Sequence, residues 1–169
     1  MKVKSLKELY MEELRDVYDA ENQIVKALPK MIKSTSEPKL RQAFESHVEE
    51  TRGHVQRLEQ IFTGLGEPAK AENCDGIRGI LDEGEKTIGE GEQGAVLDAG
   101  LIAGTQRVEH YEMAAYGSLK TWATQLGENQ AAQLLEETLN EEKKADEKLS
   151  QIATSGVNAQ ASRARGASA

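Results

Sequence analysis

Apolar residues recur at steps of three and four along four long segments of this chain, and that period constrains the fold more than any other feature. The first stripe is Leu6, Tyr10, Leu14, Val17, Ile24, Val25, Leu28 and Ile32. The second is Leu40, Phe44, Val48, Thr51, Val55, Leu58 and Phe62. A stripe of this spacing marks a helix with one face to bury, and several such helices satisfy one another only by packing stripe to stripe. The composition agrees. Ala, Leu, Glu, Lys and Gln are abundant, 4% of residues are aromatic and three are proline, which suits helices and not a β-sandwich. A length of 169 residues fits one domain with a core of its own.

The breaks divide the chain into elements. Ser5 followed by Glu8 is a capping-box pattern, and the first helix is expected from about 5 to 33 with a kink at Pro29. In STSEP, Ser36 is the expected N-cap and Pro38 lies in the first turn of a helix from about 37 to 63. The connection GLGEPAKAENCDG leads to a weaker helix, IRGILDEGEKTIGEGE, whose apolar contacts are Ile77, Ile80, Leu81 and Ile88. Two further long helices are expected at about 93 to 125 and 128 to 154, stopping before Gly127 and near Gly156. The helical domain is therefore read as 1–156. Residues 157–169, VNAQASRARGASA, lack apolar anchors and are expected to be a disordered tail. A short first connection makes helices one and two antiparallel. The long second connection can cross the bundle and bring the third long helix parallel to the second, the one-crossover topology of ferritin-like bundles.

Charge and cysteine usage narrow the function. A net charge of −8 disfavours nucleic acid and anionic membrane surfaces as partners, since both require clustered Lys and Arg. Cys74, the single cysteine, rules out an internal disulfide and a CxxC metal knuckle. No run of about 18 apolar residues occurs and the N-terminus has no apolar signal core, so a soluble cytoplasmic protein is expected.

Acidic residues stand where the stripes should be driest. At 100° per residue, Glu21 lies at the middle of the first apolar face. Glu112 is central among Leu101, Thr105, Val108, Ala115, Tyr116 and Leu119, with Glu109 about 60° to its side. Glu142 is central on the fourth long helix, and Asp146 follows one turn later. On the second, His47 and His54 lie inside the edge of the stripe; Glu50 is about 100° from its centre but can share a site with His54 at i+4 or His47 at i−3. His110 points away from Glu112 and is read as a surface residue. One buried glutamate is ordinarily a protonated or paired structural residue. Five or six on four helices, with only Arg107 among the basic residues close by in sequence, must hold protons or cations. Carboxylates with an imidazole suit two iron or manganese ions. Tyr18, Tyr111 and Tyr116 lie close enough in sequence to these acids to bond a ligand or pass electrons, although core packing is their ordinary role.

The segments DVYDAENQIVKALPKM, HVEETRGHVQRLEQIF, DAGLIAGTQRVEHYEMAAYGSL and ETLNEEKKADEKL resemble the YciE/YciF-type ferritin-like proteins, and the similarity extends over residues 5 to 154. The resemblance implies a ferritin-like core with an additional short helix, a homodimer, a stress-response role and a di-iron site comparable with that of rubrerythrins. In that comparison Glu21 matches the glutamate of the first helix and Glu50 that of the second. Glu109 and Glu112 match the paired glutamates of the third, and Glu142 matches the bridging glutamate of the fourth. Asp146 stands where rubrerythrins have histidine, and His54 follows Glu50 by four positions and not three. An aspartate there makes the expected site harder and more anionic, favouring oxidised iron or manganese. Two functions follow as expectations: a di-metal protein reacting with dioxygen or hydrogen peroxide, or a metal-sequestering or structural bundle without turnover. Lacking a rubredoxin-like CxxC pair, the first would need an external electron donor.

Overall fold

The structure of the chain, a computed structural model, describes residues 3–164. Four long helices and one shorter one account for most of them: α1 (Leu6–Ser34), α2 (Pro38–Gly64), α3 (Asp75–Glu90), α4 (Ala95–Gln125) and α5 (Asn129–Ile152). The chain is an all-α helical bundle, and α3 is the short helix inside the long connection. α1 begins as its capping pattern predicts, with the Ser5 hydroxyl accepting from the Glu8 amide at 3.2 Å. The reciprocal carboxylate bond goes one residue earlier, from Lys4 N–H to Glu8 Oε2. Pro29 does not end the helix, which continues to Ser34.

α2 and α4 each close on a glycine in the left-handed region, Gly66 at φ 71° and Gly127 at φ 80°. Behind each glycine the next amide reaches back to the helix: Glu67 N–H to the Phe62 carbonyl, and Glu128 N–H to that of Ala123. This closure satisfies carbonyls that a helix end leaves unpaired, and a side chain at either glycine would strain it. α2 starts differently from expectation. Its N-cap is Glu37, not Ser36. The amides of Ser36 and Glu37 both donate to the carboxylate of Asp98, on α4, at 2.9 Å.

Those bonds also fix the topology. Asp98, early in α4, meets the end of α1, whereas Tyr111, further along α4, hydrogen-bonds Asp16 near the middle of α1. α1 and α4 are therefore antiparallel. α2 also runs against α1 across a tight turn, so α2 and α4 are parallel and the connection carrying α3 crosses the bundle. α5 returns against α4, pairing Gln106 with Asp146 and Lys120 with Glu136.

The helical domain does not stop at Gly156. A π-helical turn, Ala153–Val157, and a last turn, α6 (Asn158–Ala161), extend it. Gly156 is not in the left-handed conformation that would end a helix, and Val157, buried at the core, supplies the apolar contact that keeps the turn docked. The remainder of the expected disordered tail, residues 165–169, lies outside the described residues. No described helix is long and apolar enough to cross a membrane.

The core is in two parts. One apolar cluster gathers Ile24, Leu28, Leu40, Phe44, Leu101 and Ile77 of α3. The other gathers Tyr10, Leu14, Leu58, Phe62, Leu119 and Leu135 at the opposite end. Between them lies a layer of buried polar side chains contributed by all four long helices.

Candidate metal centre

The polar layer forms because each long helix places an acid or imidazole at the level where the two apolar clusters separate. α1 contributes Glu21, α2 His47 and His54, α4 Glu109 and Glu112, and α5 Glu142; each is buried. Their ligand atoms fall into two groups, Glu21–His54–Glu112–Glu142 and His47–Glu109–Glu112–Glu142, in each of which the atoms lie within 4.8 Å of one another. Glu112 and Glu142 are common to both.

His54 Nδ1 is 2.9 Å from Glu142 Oε1 and 3.5 Å from Glu21 Oε1. His47 Nε2 is 3.3 Å from Glu109 Oε1. These approaches lack the alignment of hydrogen bonds: both oxygens of Glu109, Glu112 and Glu142, Oε2 of Glu21, both nitrogens of His47 and Nδ1 of His54 have no hydrogen-bond partner. Tyr116 donates its hydroxyl to Glu21 Oε1. The neighbouring threonines give the acids nothing, because Thr51 and Thr105 donate to the backbone carbonyls of His47 and Leu101 on their own helices.

Buried polar groups ordinarily find partners, so a concentration of orphaned carboxylate oxygens needs a physical cause. Desolvation, followed by the charge of Glu142, pushes the carboxyls of Glu109 and Glu112 well above the usual carboxylate range. Burial likewise raises Glu21, against the opposing pull of His54. Burial disfavours the charge on His54, but the carboxylates of Glu142 and Glu21 outweigh it and lift the imidazolium to about 11. Four acids and at most two imidazolium charges cannot neutralise the layer with all acids ionised. Protons or metal ions must do so. Neighbouring oxygens and nitrogens held about 3 Å apart, facing one another without hydrogen-bond alignment, match the edges of a coordination shell with bonds of about 2.1 Å. The cluster can hold a metal ion, and its donor set fits one.

The structure does not gather all the expected ligands. Glu50 stands at the rim, half-exposed, with Oε2 3.6 Å from His47 Nδ1. Its position, about 100° off the stripe, leaves it on the flank of α2. Asp146 stays outside both groups. It accepts from Gln106 Nε2 at 3.0 Å and lies 3.4 Å from His110 Nε2, because its short side chain meets α4 neighbours before it reaches the layer. The choice between His47 and His54 as the single imidazole dissolves, since both are inside. Arg107 is exposed beside Glu83 and supplies no charge to the layer. Tyr18 bonds Glu59, and Tyr111 bonds Asp16 and contacts the Cys74 thiol; of the three tyrosines named from sequence, only Tyr116 touches the cluster.

Sequence reasoning missed two participants, Glu141 and Arg57. Glu141 Oε2 lies 2.9 Å from His54 Nε2, and both its oxygens accept from the Arg57 guanidinium, at 2.5 and 2.8 Å. Nothing in the sequence pairs Glu141 with a residue on α2. A cavity of about 310 Å³ between α2, α4 and α5 reaches His47 and Glu109, with Glu50, Lys144 and Lys148 among its walls.

Comparison with known proteins agrees with this architecture. Residues 5–162 match the family described as a domain of unknown function, DUF892. Protein YciF of Escherichia coli (strain K12) is 43% identical over 162 residues, covering 95% of this chain and 98% of that protein. The crystal structure of the E. coli stress protein YciF superposes with a TM-score of 0.88 at 43% identity, covering 92% of this chain and 99% of that one. YcfI from Rhodopseudomonas palustris, proposed there to be a structural protein, gives the same TM-score and identity over 90% and 97% of the two chains. A protein from Xanthomonas campestris shares the fold at 22% identity, with a TM-score of 0.73 over 94% of this chain and 97% of that one.

Proposed function

The chain belongs to the DUF892 family, and we propose that its buried cluster is a di-metal centre, with iron or manganese as its ion, in a stress-response protein. The observation that carries this reading is the set of orphaned buried oxygens on Glu109, Glu112 and Glu142, contributed by two helices and faced by two imidazoles. Glu21 and His54 would hold one ion and His47 and Glu109 the other, with Glu112 and Glu142 shared; Glu50 closes the rim. The stress role is supported by the E. coli relative, which is described as a stress protein. Asp146, which bonds Gln106, drops out of the proposed ligand set.

Bound iron would supply one-electron chemistry toward dioxygen or hydrogen peroxide. The chain itself supplies the setting. The two apolar clusters shield the layer from above and below, and the cavity beside His47 offers a small molecule a way toward it. Glu109, Glu112 and Glu21, whose carboxyls burial raises, would give up their protons to hold a metal ion. Tyr116 keeps its hydroxyl on Glu21, holding that carboxylate in one orientation. Electrons for turnover would come from another molecule, because Cys74 is buried and alone. An unpaired thiol also fits a reducing compartment, the cytoplasm, where the chain would act as the homodimer expected from its resemblance.

A second reading, a structural or metal-sequestering bundle without turnover, is favoured by the role proposed for the R. palustris relative. Two measurements test the metal centre and separate the readings. Chain purified without chelator is expected to carry about two ions, falling below about one in Glu112→Ala and Glu142→Ala. Less than one ion per chain, unchanged in the variants, contradicts the metal centre. Anaerobic ferrous loading followed by oxygen or peroxide is expected to oxidise iron faster than free ferrous ion. Tight loading without that acceleration selects the sequestering reading.

A further inference from the structure

We propose that Glu141 and Arg57 are a positioning pair that fixes which nitrogen of His54 faces the cluster, and so make the Glu21–His54 position the more tightly held of the two. This rests on the di-metal reading above. An imidazole can coordinate through either nitrogen, and the hydrogen bond made by the other decides which. Here the assignment is built into two helices. Glu141 Oε2 sits 2.9 Å from His54 Nε2, which leaves Nδ1 directed at Glu21 and Glu142. Glu141 is not free to turn away. Arg57, one turn beyond His54 on α2, grips both its oxygens in a fork at 2.5 and 2.8 Å. The same guanidinium reaches Thr138 Oγ1 at 3.2 Å, one turn before Glu141 on α5. Such a two-toothed contact fixes direction as well as distance.

His47 has nothing comparable. Neither of its nitrogens makes a hydrogen bond. Its Nδ1 faces Glu50, whose side chain is 50% exposed, at 3.6 Å, and its ring borders the cavity. One imidazole, fully buried, is therefore clamped from behind by a hydrogen-bonded carboxylate, and the other is held by packing beside the cavity. Carboxylates that orient a coordinating histidine raise its basicity, and their loss typically lowers metal affinity about 10- to 100-fold. That loss should fall on one metal position and spare the other.

Zinc titrated into the full metal-free chain, followed calorimetrically, tests this with no dependence on turnover. The parent is expected to bind in two resolved steps. Glu141→Ala should weaken the tighter step about 10- to 100-fold and leave the weaker one nearly unchanged. Glu141→Gln retains an amide oxygen able to accept from Nε2–H and should recover most of the loss. Nitrogen-15 spectra of the zinc-loaded parent should show His54 protonated at Nε2 and bare at Nδ1, with that single pattern lost in Glu141→Ala. Glu141→Ala and Glu141→Gln proteins that both melt lower yet bind both zinc ions as the parent does would reduce the pair to a structural ion bridge and overturn the proposal. So would a zinc-loaded parent in which His54 is protonated at Nδ1. A parent that takes up no zinc removes the metal centre itself, and this proposal with it.

Discussion

At the residue scale, the layer carries a signature that does not depend on knowing the metal. In the metal-free chain, burial holds Glu21, Glu109 and Glu112 protonated above the ordinary glutamate value of 4.5. The folded state then binds more protons than the unfolded one, so stability falls as pH rises, by about 1.4 kcal/mol for each unit of separation. His54 acts in the same direction: its contribution is complete below about 6.5 and is lost as pH passes through about 11. Glu141, lowered by its hydrogen bonds to Arg57, acts oppositely, its contribution present above the ordinary value and lost as pH falls. The urea midpoint of metal-free protein should therefore decline from mildly acidic pH through neutrality, and bound manganese should flatten that decline. A metal-free midpoint that rises between about pH 5 and 8 would show that the acids are ionised and satisfied in some other way. The acids themselves were legible in the sequence because a charge at the centre of an apolar stripe is anomalous on its own helix. His47 was only half legible, at the edge of its stripe. Glu141 and Arg57 were not, since their meaning comes from a contact between helices far apart in the chain.

Among the elements, the start of α2 shows how one buried side chain can replace a local signal. Ser36 has the chemistry of an N-cap, yet Glu37 caps α2 by accepting from the Lys39 amide, and the amides of Ser36 and Glu37 just before the helix are taken by Asp98, buried within α4. The carboxylate receives two backbone donors that otherwise have no partner, and it ties the end of α1, the start of α2 and the start of α4 together. Asp98→Ala should cost about 2–3 kcal/mol by stranding those donors, while Asp98→Asn, which keeps one accepting oxygen, should cost less. Equilibrium urea unfolding of both variants checks the order, and metal content should not change in either. A loss within about 0.5 kcal/mol for Asp98→Ala, the range of ordinary surface substitutions, would mean that water or Ser36 replaces the carboxylate. The extents of the long helices were readable because their period is sustained over many turns and Gly66 and Gly127 end two of them in left-handed conformations. Gly156 misled because a glycine stops a helix only when the backbone turns there, and Val157 gives the chain reason to continue.

For the whole molecule, the arrangement is a bundle whose core is divided in two by a layer of buried polar side chains. Connection lengths permitted this topology and contacts between helices fixed it: a tight turn makes α1 and α2 antiparallel, and a long connection allows α4 to lie parallel to α2. What connection lengths could not supply was the depth of each acid along the bundle axis. Helical wheels likewise leave out side-chain reach, which is why Asp146, expected inside, is found against Gln106. The ligand atoms of Glu21, His47, His54, Glu109, Glu112 and Glu142 converge in two adjoining groups that share Glu112 and Glu142, and that convergence underlies the proposed di-metal centre. Anomalous diffraction at the iron edge, from crystals of chain loaded anaerobically with ferrous ion, tests it most directly. Two peaks are predicted within the layer, one between Glu21 and His54 and one between His47 and Glu109, both in contact with Glu112 and Glu142. An empty layer, or iron bound only at exposed carboxylates, would contradict it.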